Sequence, residues 1–112
     1  MTNPHRGEVN VTLAGQTYRT KLNLDSIARL ESQLNKSILK VAQTLSEGNM
    51  TIAEISAILH KAIRGGGQDI DIKQVNQLIW DAGLPESMKA VAEIVGGIFG
   101  VSDELGNEGA NV

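Results

Sequence analysis

Residue types capable of reactive chemistry are few in this chain and poorly spaced for it. Among its 112 residues there is no cysteine, and His5 and His60 are the two histidines. Without thiolates there is no zinc-thiolate site, no iron–sulfur cluster and no cysteine nucleophile. His60 has no second histidine and no carboxylate three or four positions away, the spacing at which one helix face gathers metal ligands. It reads as a histidine at the edge of a helix. Gly65-Gly66-Gly67 invites comparison with a phosphate loop, in which glycine amides lead from a strand into a helix N-terminus and Lys-Ser/Thr follows. Here the glycines follow a helical pattern and Gln68-Asp69 come next, so they read as a helix stop and flexible turn. Asp69 and Asp71 could open a calcium loop, but such a loop needs a ligand where Lys73 stands and a glycine where Gln74 stands. No Gly-x-Ser-x-Gly elbow is present. The sequence points away from an enzyme and offers no catalytic, cofactor-binding or metal-ligating residue.

The elements come from hydrophobic periodicity. Val9, Val11 and Leu13 alternate with Glu8, Asn10 and Thr12; Tyr18, Thr20 and Leu22 alternate with Thr17, Arg19 and Lys21. Each run has the two-residue period of a half-buried strand. Gly15 at the first central position predicts a type II′ turn, pairing Leu13 with Tyr18, Val11 with Thr20 and Val9 with Leu22. The rest reads as helix. Asn23 or Asp25 caps the first, with Leu24, Ile27, Leu30 and Leu34 as its stripe and Asn35 at its end. Ser37 caps the second, which carries Ile38, Val41, Ala42 and Leu45 and stops at Gly48. Thr51 and Glu54 form a capping box before Ile52, Ile55, Leu59, Ala62 and Ile63. Asp71 and Gln74 form another, before Ile72, Val75, Leu78, Ile79 and Ala82, with Gly83 closing the helix. Pro85 takes the first position of the last helix, whose stripe is Met88, Val91, Ala92, Val95, Ile98 and Phe99. The expected fold is α+β and mainly α: one domain over residues 1–99, with an N-terminal β-hairpin and about five short helices. Residues 100–112, rich in Gly and acid, are expected to be a disordered tail.

Composition narrows the function classes. Net charge is −3, and three of the thirteen acids lie in that tail (Asp103, Glu104 and Glu108), leaving ten acids against ten bases in the body. A neutral body lacks the basic footprint that nucleic acid or an anionic membrane requires. Aromatics are 3% of residues, too few for base stacking. A helix-turn-helix reading would make the helix after Gly48 the recognition helix, but its polar residues Glu54, Ser56, His60 and Lys61 do not suit base edges. No apolar run approaches the ~18 residues of a membrane span. Met1–Gly7 has no apolar core of a secretory leader, so a cytoplasmic location is expected.

What remains is surplus apolar surface. On a helical wheel Leu39, Ile58 and Ile94 fall about 90–110° from their stripe centres, and Trp80 about 140°. These four are the candidate partner contacts; the other reading of each is that five helices and a hairpin bury more than one face of a helix. A lone tryptophan opposite a buried face is the residue type that anchors protein–protein contacts.

Arg6-Gly7-Glu8-Val9, the hairpin around Gly15, the run Leu22 to Glu31 (Leu-Asn-Leu-Asp-Ser-Ile-Ala-Arg-Leu-Glu), Ile63-Arg64-Gly65-Gly66-Gly67, Val75 and Ala82-Gly83-Leu84 together resemble the gene transfer agent family of small phage-like tail proteins. The resemblance covers residues 3–99. It implies a tail assembly chaperone that coats the helical tape-measure protein until tube subunits polymerise around it, with other tail proteins as further partners and no catalytic or cofactor residues. The alternatives are a structural minor component of the particle and a small DNA-binding regulator. The oligomeric state is left open.

Overall fold

The computed structural model describes residues 6–100. Strands β1 (Glu8–Leu13) and β2 (Gln16–Lys21) form an antiparallel hairpin, followed by α1 (Leu24–Leu34), α2 (Ile38–Ser46), α3 (Ile52–Gly65), α4 (Ile72–Ala82) and α5 (Leu84–Phe99). The hairpin-plus-five-helices architecture is the expected one. Apart from Gly100, which caps α5, the tail expected over residues 100–112 lies outside the described residues.

The hairpin register differs from the expectation. Leu13 pairs with Gln16, Val11 with Tyr18 and Val9 with Thr20. The two central turn residues are Ala14 and Gly15, both at positive φ (53° and 80°). Positive φ at both positions is the type I′ geometry, in which Gly15 stands second rather than first. Two further bonds support this register. The Glu86 carboxylate accepts the Ala14 N–H at 3.0 Å, and the buried Thr20 hydroxyl donates to the Val9 carbonyl at 2.8 Å. The shift is two residues, so Val11, Leu13 and Leu22 stay on the buried face.

Local chemistry sets the helix ends as expected. Asn23, Ser37, Thr51 and Asp71 accept N-terminal amides, and the boxes Thr51–Glu54 and Asp71–Gln74 are both closed. Asn35 and Gly48 adopt left-handed conformations just after α1 and α2. Leu84 leads α5, so Pro85 sits second in the helix rather than first.

A two-stranded hairpin is unstable alone; α5 packs along β1 and α3 along β2. The core is aliphatic, drawn from the hairpin and all five helices. Helices α3 and α5 run through its centre, each touching a strand and several other helices. For that reason Ile58 and Ile94, each 1% exposed, are core residues rather than partner contacts: of their two readings, burial of a second helix face is the one that holds, and their candidacy as contacts is corrected. Neighbours on several sides turn a stripe into a nearly complete girdle. The opposite correction applies to Leu24, Ile52 and Ile72, which are exposed, and to Ala92. The three large ones are the first residues of α1, α3 and α4. Side chains tilt toward the helix N-terminus, so at a first position they project past the packed turns.

The three glycines are more than a stop. Gly65 is still helical and Gly66 is the cap. A Cβ on Gly65 would collide with the carbonyl oxygen of Lys21, and one on Gly66 with that of Arg19. The end of α3 therefore lies directly on the backbone of β2, an approach that side-chainless residues alone permit.

A candidate docking groove

At the other end of α3 the surface opens. The large exposed apolar residues among those described are Leu24, Leu39, Ile52, Ile72, Trp80 and Leu84. Four of them meet at one place. Ile52 from the start of α3, Ile72 and Trp80 from α4, and Leu84 from the start of α5 line a groove of about 660 Å³. Trp80 is 82% exposed and Ile52 57%.

The sequence builds this groove locally. Both capping boxes place an isoleucine at the first helical position, so α3 and α4 each begin with an apolar side chain directed past the core. Ile72, Asn76, Ile79, Trp80 and Gly83 share one side of α4 at helical spacing. Ala53, Ser56 and Ala57 give α3 a low wall. At the floor the Ser56 hydroxyl donates to Asn76 Oδ1 at 2.6 Å, so the buried hydroxyl costs no unpaired polar group. Gln33 of α1 forms the rim. Among the described residues, no charged side chain lines the groove.

One ion pair joins the elements that carry Gln33 and Ile52. Lys36, in the loop after α1, meets Glu54 on the first turn of α3 at 2.6 Å. The Lys36 ammonium, then the Thr51 backbone amide, hold the Glu54 carboxyl below its ordinary value of 4.5. Burial works in the opposite direction and loses. The pair ties the α1–α2 corner to the end of α3 that carries Ile52.

Of the four residues singled out from sequence, Trp80 lines the groove, Leu39 is exposed on α2 away from it, and Ile58 and Ile94 are interior. Ile52, Ile72 and Leu84 were missed. Each is the first residue of its helix, and that position was the available signal. Among the described residues no cluster of His, Asp and Glu could hold a metal ion. Asp69 is fully exposed beside Arg64, and Asp71 is engaged in capping. Among the same residues, no helix is long and apolar enough to cross a membrane.

Fold and groove together define a small helical protein flanked by a β-hairpin, whose most distinctive surface is apolar rather than ionisable. The family model described as phage tail tube protein, GTA-gp10 matches residues 6–101, and the chain belongs to that family. Its role accordingly lies in the structure or assembly of a phage-type tail. No curated protein and no solved structure matches the chain.

Proposed function

We propose that the protein is a non-enzymatic tail assembly chaperone, acting in the cytoplasm, that holds a helical stretch of the tape-measure protein. The observation that carries this reading is the groove walled by Ile52, Ile72, Trp80 and Leu84. A long helical protein awaiting its tube exposes apolar stripes, which drive aggregation. A groove between helices accepts such a stripe through anchors at i, i+3 or i+4 and i+7. Co-expression with the tape-measure protein of the same phage-type tail is the test. The two proteins are expected to co-purify, and Trp80→Ala is expected to weaken the complex. Absence of any complex would reject the function.

A second reading, a structural component of the particle, is favoured by the family's own description as a tail tube protein. Mass spectrometry of purified particles separates the two. A chaperone is scarce there, whereas a component is present in stoichiometric amounts.

A further inference from the structure

Gln33, the rim of the groove, also borders a neighbouring depression. A second, shallower depression is lined by Ala28, Arg29, Ser32 and Gln33 of α1 and by Lys61 of α3. Gln33 borders both depressions. Ala53, Ala57 and Lys61 follow one another at four-residue spacing, so one flank of α3 runs through both. Together they make a trough along the α1-facing side of α3. From Ile52 to Lys61 the helix rises about 13 Å, at ~1.5 Å per residue. The two ends differ in character. The Ile52 end is apolar and carries no charge. The Lys61 end is lined by Arg29 and Lys61 and, among the described residues, by no acid. Arg29 is engaged by Asp25 at 3.0 Å. Lys61 has no hydrogen bond or ion pair among the described residues.

We propose that this trough takes an amphipathic helix of a partner tail protein, with apolar anchors in the Trp80 groove and a carboxylate about two turns away, at about i+7, facing Lys61. The assignment rests on the chaperone reading and names the chemistry of its partner segment. Charge complementarity sets the direction of the bound helix. Apolar anchors alone would fit either way round, whereas a carboxylate opposite Lys61 fits one.

Two sets of probes test it, each measured by fluorescence anisotropy on the intact protein. The first is a set of overlapping labelled peptides covering the tape-measure protein. The second is a designed helical peptide with leucines at i and i+4 and glutamates at i+7 and i+8, with a matched peptide carrying lysines at i+7 and i+8. Peptides that bind are expected to share the apolar–acidic pattern, and the glutamate peptide is expected to outbind the lysine peptide. Trp80→Ala is expected to weaken binding tenfold or more, about the loss when a central aromatic anchor is truncated. Lys61→Glu is expected to weaken the glutamate peptide about fivefold, the upper range for a partly exposed charge pair, and to strengthen the lysine peptide. Circular dichroism confirms that both surface variants remain folded. Tape-measure peptides that bind equally well to wild type and both variants would leave the chaperone reading standing and overturn the trough. If no tape-measure peptide binds but the glutamate peptide does with the stated sensitivities, the chaperone reading fails and the trough assignment stands. If neither set binds, the trough is refuted.

Discussion

The two ends of α3 solve opposite problems. At the C-terminal end Gly65 and Gly66 lie against the carbonyls of Lys21 and Arg19, with no room for a methyl group. At the N-terminal end Ile52 stands 57% exposed beside Trp80, Ile72 and Leu84, above a groove of about 660 Å³. The first end gives up side chains so that helix and strand can touch. The second presents side chains that the fold does not use. One helix thus holds the hairpin at one end and offers apolar surface at the other. The contrast separates what the chain needs for folding from what is left for a partner.

The sharpest way to break this contrast is to put a methyl group into the closed end. Gly66→Ala meets backbone that cannot rotate aside, and overpacking costs about 1–3 kcal/mol. A loss of about 2–3 kcal/mol in urea unfolding is expected, with unfolding at the upper end. Gly65→Ala sets two effects against each other. Helix propensity favours alanine by about 1 kcal/mol, but the collision with the Lys21 carbonyl is expected to win and leave a net destabilisation. A stabilised variant would mean that the seam is loose.

At the open end the expected pattern reverses. Trp80→Ala is expected to lower partner affinity about tenfold while changing stability by less than ~0.5 kcal/mol, since a surface side chain contributes little to the fold. Binding and thermal melting of the same preparation check both halves. At the same open end, Glu54→Gln tests the Lys36–Glu54 ion pair. The folded carboxyl titrates below 4.5, so the charged form favours the folded state. Its contribution is complete above that value and is lost as pH falls through the lower folded one. The variant is therefore expected to be about 1 kcal/mol less stable at pH 7, with the difference vanishing in acid. The smallest effect is a control. Gly96, within α5, has nothing among the described residues within 4 Å of an added Cβ, and Gly96→Ala is expected to stabilise by about 0.5–1 kcal/mol.

What could be read directly from the chain is what depends on near neighbours. The capping boxes of α3 and α4, the stop at Gly48 and the buried face of the hairpin are all set within a few residues. The hairpin register was not legible, because a two-residue shift preserves the alternation; the choice turned on Ala14 adopting positive φ beside Glu86. The seam at Gly65 and Gly66 was equally hidden, because its other half lies some 45 positions earlier, in β2. The wheel found Trp80 because that residue is opposed to its own stripe. It misplaced Ile58 and Ile94, since no wheel contains the second neighbour that covers them. It also assigned Ile52 and Ile72 to the interior, because a stripe extended to the first position of a helix ignores where the core stops.

Trp80 is the single tryptophan of the chain, so it reports on the groove directly. The most direct measurement is its emission spectrum, with acrylamide quenching, in the free protein and in the complex with the tape-measure protein or with an anchoring peptide that itself lacks tryptophan. Burial of Trp80 predicts a blue shift and strong protection from the quencher on binding. A complex that forms with emission and quenching unchanged would place the contact elsewhere and contradict the account.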